Sequence, residues 1–350
     1  MSIDAGAGRD SSLPTEPGTG VAITAEEPEQ RLAAALAGDQ RAFAALVGPH
    51  RGAIQLHCYR MLGSFHDAEE ATQETLLRAW RALSTYEARA PLEHWLYRIA
   101  TTTCLMMFRA ATRRPRTVDE VSHLEPYPDR LLESLPDSSV DPARETEHRE
   151  SVALAFIAAL QLLPATQRAA IVLKDVLGFS SAEIAETLDS TVASVNSSLQ
   201  RGRARLRDTS PSPSPHGLSA TDYEVLDRFV RAWHRRDIDG LVAVLAHDAV
   251  LRMPPDPGTF DGPQAIVGFL SSVPADGRLD LIPLLVTRAN GQPALAAYGP
   301  DPDGQVTAYG VMVLELARSQ VGSITGFADA GLFDAFGLPV RLDDVAASRS

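Results

Sequence analysis

Residues 181–207 constrain the fold of this chain more than any other stretch. Ser180 or Ser181 can cap a helix whose inward face is Ile184, Ala185 and Leu188, with Glu183 in its first turn. A short turn, Asp189–Thr191, leads into a second helix. Val192, Val195 and Leu199 lie inward on it, and Ser194, Asn196, Ser197, Ser198, Gln200 and Arg201 outward. The segment from Gln200 to Arg207 carries four arginines and no acid. Two short helices across a tight turn, the second faced with small polar residues and arginine, predict a helix-turn-helix that enters a major groove. Each phosphate neutralised there would add roughly −0.9 to the salt slope of binding. A merely solvated basic hairpin would not need apolar positions, turn and basic end to agree.

The whole chain has 350 residues and a formal net charge of −13, which argues against a protein that coats nucleic acid non-specifically. The charge comes in blocks: −5 over residues 1–30, +4 over 31–115, −6 over 116–150, +2 over 151–207 and −8 over 208–350. Basic blocks alternating with acidic ones fit a nucleic-acid binder with tethering or regulatory parts. No apolar run approaches the ~20 residues of a membrane span. The acidic, Gly/Pro-rich start lacks the basic and apolar regions of a signal peptide. A cytoplasmic protein with no membrane partner is expected. Cys58 and Cys104 are too few for a disulfide framework or a four-cysteine zinc site, and read as small buried hydrophobes. No metal and no cofactor is expected.

The pattern predicts a multidomain chain. Residues 1–28 read as a disordered tail, and 29–115 as helical almost throughout. Helices are expected over Gln30–Val47, His50–Leu62, Asp67–Leu83 and from Pro91 through Phe108. Residues 116–150, rich in proline and acid with no apolar period, read as a flexible linker. Residues 151–207 are helical again, and 208–217 form a Ser/Pro linker. Residues 218–340 change character. Helices over Thr221–Arg235 and Ile238–Leu245 precede alternating strands and the turn signals Asn290-Gly291 and Asp303-Gly304, which predicts an α+β domain. Residues 341–350 are left as a tail.

Two stretches carry a family resemblance. The run HCYRMLGSFHDAEEATQETLLRAWRAL from His57 to Leu83, continued by WLYRIAT from Trp95, resembles the second domain of extracytoplasmic-function (ECF) sigma factors of the sigma-70 family. Leu163-Pro164, Arg168 and the helix-turn-helix resemble that family's fourth domain. Met253-Pro254-Pro255, Asp261-Gly262, Asn290-Gly291-Gln292-Pro293 and Phe336-Gly337-Leu338-Pro339 resemble a SnoaL-like domain of the NTF2-like cone fold, as fused in the SigG-type subgroup. The resemblance implies two all-α domains, sigma2 and sigma4, followed by an α+β cone.

It also implies roles. Asp67, Glu70, Gln73, Glu74 and Arg78, with Arg81 beside them, would dock on the β′ coiled coil of core RNA polymerase, with the β subunit as a further partner. Arg98, Thr102, Arg109, Arg113 and Arg114 would serve the −10 region of promoter DNA, and Trp95, Tyr97 and Phe108 are candidates to stack on bases, although Trp95 reads better as core. Asn196, Ser197, Ser198, Gln200, Arg201 and Arg203 would serve the −35 region. The sequence departs from the family at Ala90-Pro91, Glu93 and Thr102. It also has Asn196 and Ser198 where many members carry arginine, which implies a different base preference or weaker −35 affinity. A sigma factor lends specificity and has no catalytic site. The cone has room for a small ligand. Its acid/base candidates, His234, His247, Asp248, Asp256 and Asp261, form no evident dyad, so regulation in cis is expected. A one-component regulator would leave residues 40–115 unexplained. A SnoaL-like enzyme with a DNA-binding appendage would require turnover by the C-terminal domain.

Overall fold

The computed structural model describes residues 26–112, 124–135, 151–209, 219–256, 258–317 and 319–342. The tail at 1–25, most of the stretch 113–150, the Ser/Pro linker beyond Thr209 and the last eight residues lie outside them, as do Arg113 and Arg114.

The chain divides into two compact units, residues 1–48 and 49–350. The first holds α1 (Glu26–Leu36) and α2 (Gln40–Val47), which pack on each other. One helix is expected over Gln30–Val47, and two are found. Gly38 takes φ +97°, a left-handed turn, and the Asp39 carboxylate accepts the N–H groups of Arg41 and Ala42 to restart the helix.

The second unit begins with three mutually packed helices, α3 (Arg51–Leu62), α4 (Phe65–Ala82) and α5 (Leu92–Thr112). Gly63, left-handed at φ 77°, ends α3, and the Ser64 hydroxyl caps α4 by accepting the Asp67 N–H. Within the stretch expected to be a flexible linker, residues 124–135 take a defined course through a one-turn helix, α6 (Asp129–Glu133). The reason is burial: Tyr127 has no exposure and packs its ring on Tyr59 and Phe65. Next come α7 (Leu154–Gln161) and α8 (Ala165–Ile171), the latter running on through a wider turn at Val172–Val176. Then follow α9 (Ser181–Thr187) and α10 (Val192–Thr209).

The remainder is α+β. Helices α11 (Ala220–Arg235) and α12 (Ile238–Val244) lead into β1 (Leu245–Arg252) and β2 (Thr259–Asp261). After α13 (Pro263–Leu270) come β3 (Leu284–Ala289), β4 (Gln292–Pro300), β5 (Val306–Ala317), β6 (Gln320–Phe327) and the short α14 (Leu332–Phe336). The six-stranded sheet runs β2-β1-β6-β5-β4-β3, with only β1 and β6 parallel. Side chains alternate between its faces. Leu295 and Ala297 of β4 join the core under the helices, with Phe229, Trp233 and Ile266. Ala294, Ala296 and Tyr298 point to the other face, covered by Phe333 and Phe336 of α14 and by Leu154 of α7, with Leu124 packed alongside. The helical part of the chain therefore supplies part of the cover for the second face of the sheet.

Candidate nucleic-acid interface

On α4 the buried stripe is Phe65, Ala68, Ala71, Thr72, Thr75 and Ala79. Asp67, Glu70, Glu74 and Arg78 follow one another at helical spacing along a different face, with Gln73 exposed beside them. Arg78 is already engaged: its Nε donates to Glu74, and another guanidinium nitrogen lies 3.2 Å from Met106 Sδ. The expected docking residues thus share one helix surface, with carboxylates and an amide at its open end.

The helix-turn-helix forms over α9 and α10. Ser180 caps α9 in a capping box with Glu183, whose carboxyl is held below the usual range by hydrogen bonds from the Ser180 side chain and backbone. Val195, Leu199 and Leu206 are buried, and Gly202 lets α10 approach α8 closely: a Cβ there would stand 2.6 Å from Ile171 Cδ1. Asn196, Ser197, Gln200 and Arg201 are exposed and Ser198 half-buried. The Ser181 hydroxyl lies 3.0 Å from Asn196 Oδ1. Arg203 departs from the expectation of a free phosphate contact, because Asp175 receives its guanidinium in a two-pronged ion pair.

On α5, Arg109 is exposed, and Thr102 donates its hydroxyl to the Arg98 carbonyl. Two residues of this helix meet the helix-turn-helix. Arg98 pairs with Glu186 at 2.9 Å, and His94 stacks on Phe179 at 4.4 Å with Glu183 3.5 Å away. Two of the stacking candidates are engaged inside the unit. Tyr97 is buried edge-on against His57, and the Phe108 ring lies under the Arg168 guanidinium at 4.8 Å. Trp95 tilts against Tyr86.

The sequence reading missed a knot around Asn290, which it took as a hairpin turn. That role holds, with Asn290 at φ 57° and Gly291 at φ 72°. Asn290 is also 1% exposed, and its amide joins three segments. Its Nδ2 donates to Tyr59 Oη (2.8 Å) on α3 and to the Val152 carbonyl (2.7 Å), and its Oδ1 accepts the Tyr127 N–H (2.8 Å). Tyr59 passes its own proton to the Glu125 carbonyl, and burial drives its phenol far above the usual range. Asp129 accepts from the Gly291 N–H and from Arg288, while its burial raises its pKa against both. Arg130 reaches the carbonyls of Asp334 and Ala335, and Gln292 accepts the Leu154 N–H. Beneath these, Arg60 holds Ser151, and Arg168 holds the Met61 carbonyl and Gln161. Burial lowers both arginines to about 10. Partners more than 100 residues apart leave no periodic signal. The clue in the sequence was the group Leu124, Tyr127, Leu131, Leu132 and Leu135 within a stretch rich in proline and acid.

In the C-terminal part, His234 accepts the Leu284 N–H at the surface, and His247 and Asp248 face each other at 3.5 Å while both stay exposed. Asp256 and Asp261 are exposed as well, so these five residues do not converge. Apolar side chains line the region between helices and sheet, and the Trp233 indole N–H goes to the Ile282 carbonyl.

Comparison with known proteins decides the family. Residues 46–114 match Sigma-70 region 2, 153–206 match Sigma-70 region 4, and 226–321 match a SnoaL-like domain. The ECF RNA polymerase sigma factor SigG of Mycobacterium tuberculosis is 40% identical over 92% of this chain and 90% of its own length. The chain is an ECF sigma factor. A second relative, SigE of Mycolicibacterium smegmatis, is 34% identical over 52% of this sigma factor and 68% of its own length. The crystal structure of M. tuberculosis SigJ shares the fold at a TM-score of 0.58 and 22% identity, covering 83% of this chain and 97% of that one. The two helical blocks and the α+β block are thus sigma regions 2 and 4 with a fused SnoaL-like domain. Among the described residues no helix is long and apolar enough to cross a membrane.

Proposed function

We propose that this sigma factor is stored closed by its own C-terminal domain and must open before it can serve RNA polymerase. The contact between Arg98 and Glu186 carries this reading. The −10 and −35 elements lie about 25 base pairs apart, or about 85 Å along B-DNA at 3.4 Å per base pair. Helices that touch cannot read both. In the closed arrangement a −10 arginine is neutralised by the module that reads −35, and Arg203 is neutralised by Asp175.

The Asn290 knot is the lock in this reading, since its hydrogen bonds tie α3, residues 124–135 and Val152 to the hairpin between β3 and β4. Opened, the face of Asp67, Glu70, Gln73, Glu74 and Arg78 would dock on the β′ coiled coil, with β as a further contact. Arg98, Thr102, Arg109, Arg113 and Arg114 would serve the −10 region, and Asn196, Ser197, Ser198, Gln200, Arg201 and Arg203 the −35 region. We assign residues 29–115 to sigma2, 151–207 to sigma4 and 218–340 to the regulatory domain. The chain acts with the polymerase in the cytoplasm and contributes specificity rather than catalysis.

Run-off transcription with purified core polymerase tests this. Asn290→Ala in the full-length chain should raise transcript yield severalfold, and removal of the C-terminal domain should raise it further, with the preferred promoter unchanged. Equal or lower yield from a folded Asn290→Ala protein would sink the lock. A truncated protein choosing other promoters would sink the division of labour.

A further inference from the structure

Beside the Asn290 knot, His66, Glu125 and Asp329 converge from three segments: the first turn of α4, the ordered stretch after residue 123, and the loop after β6. One donor atom from each lies within 4.8 Å of the other two. His66 Nδ1 is 3.1 Å from Glu125 Oε2. Two donors bound to one zinc ion at 2.0–2.2 Å stand about 3.4 Å apart in tetrahedral geometry. The His66–Glu125 contact is close to the spacing of a shared cation, and a donor oxygen of exposed Asp329 lies within 4.8 Å of both partners.

The surroundings hold these donors in place. The Ser64 hydroxyl (2.9 Å) and the His66 N–H (3.0 Å) both donate to Glu125 Oε2 and fix its carboxylate. Outer hydrogen bonds of this kind orient metal-binding carboxylates. The Gly331 N–H donates to Asp329 Oδ1, anchoring that side chain from its own loop. A Cβ on Gly331 would stand 3.0 Å from Asp329 Oδ1 and 3.8 Å from His66 Nε2, so this loop backbone passes beside both side chains.

We propose that His66, Glu125 and Asp329 form a zinc site. An imidazole with two carboxylates suits a first-row divalent ion such as zinc better than magnesium or calcium, which prefer all-oxygen shells. Three protein donors leave a fourth position to water. Because the donors belong to three segments that separate on opening, zinc at 100 times its dissociation constant would shift the closed-to-open ratio about 100-fold toward closed. That last step rests on the closed-state reading; the binding itself does not.

Equilibrium dialysis of the tag-free full-length protein against zinc sulfate tests the site directly. One zinc per chain is expected, with affinity lowered at least tenfold by Asp329→Asn and further by His66→Ala, while both variants keep the metal-free melting curve. No zinc retained by the wild type, or equal affinity in all three proteins, would overturn the proposal. Cobalt(II) titration of the wild type needs no variant. A visible d–d band without a thiolate charge-transfer band supports the nitrogen/oxygen set, whereas a thiolate band, or no change in spectrum, refutes it. Loss of zinc binding would leave the transcription test of the Asn290 lock untouched. If zinc binds but transcription from wild type does not respond to it, the coupling fails and the site stands.

Discussion

His57 stands wholly buried in α3, its Nε2 2.9 Å from Thr101 Oγ1 and its Nδ1 without a partner. The Thr101 hydroxyl donates to the Tyr97 carbonyl, so it accepts from Nε2–H, and the ring is neutral. Burial, helped by nearby Arg60, lowers its pKa from 6.5 to about 3. Between those values the unfolded chain binds more protons than the folded one, so stability is complete above pH 6.5 and falls as pH drops toward 3. Urea denaturation should show a loss of about 2 kcal/mol between pH 6.5 and 5 from this group, and His57→Gln should flatten that part of the slope. Arg203 teaches a related lesson at the same scale. Its place in the basic run marks it for phosphate, yet Asp175, 28 residues earlier, neutralises it. An outward position on a helix says nothing about what faces it from the next one.

Among elements, α10 is held close to α8 at Gly202. Gly202→Ala would drive a methyl group against Ile171 Cδ1, an overpacking of about 1–3 kcal/mol less the roughly 1 kcal/mol that alanine gains over glycine in a helix. A thermal melt should fall accordingly, and −35 binding should weaken with it because α10 is displaced. The helices were legible because their signals are local: the Ser180 cap, Gly63 as a terminator, apolar stripes at 3.6 spacing. The strands of the α+β block were legible from alternation and from Asn290-Gly291. Three pieces were not. Strand β2 has three residues, α6 and α14 have five each, and all are too short for a periodic pattern. Strand β4 hides its alternation in another way. Ala294 through Tyr298 are all apolar because both faces of the strand are covered, one by α11 and α13, the other by α14 and Leu154. The expected interface residues among the described ones lie on α4, α5 and α10. The Asn290 knot depends on pairs such as Tyr59 and Asn290, 231 residues apart, and no local rule reaches that far.

For the whole molecule, the proposed closed state would leave a signature in amide exchange. The N–H groups of Tyr127, Asn290 and Gly291 go to Asn290 Oδ1, the Tyr127 carbonyl and Asp129 Oδ1 respectively. Amides in such bonds exchange only when the structure opens. Adding core polymerase should therefore speed exchange at all three by an order of magnitude or more, while amides inside α11 keep their rate. Unchanged protection at Tyr127 on a polymerase-bound chain would mean that docking proceeds with the knot intact. The second face of the sheet reaches further. Leu154, which helps cover Ala294, Ala296 and Tyr298, belongs to region 4 itself, and Leu124, packed alongside, to the stretch before it. The C-terminal domain is thus not a transferable cassette. Grafted behind the helix-turn-helix of an unrelated sigma factor, it would arrive without Leu124, Tyr127, Asp129 and Leu154, and would carry Ala294, Ala296 and Tyr298 on a partly uncovered face.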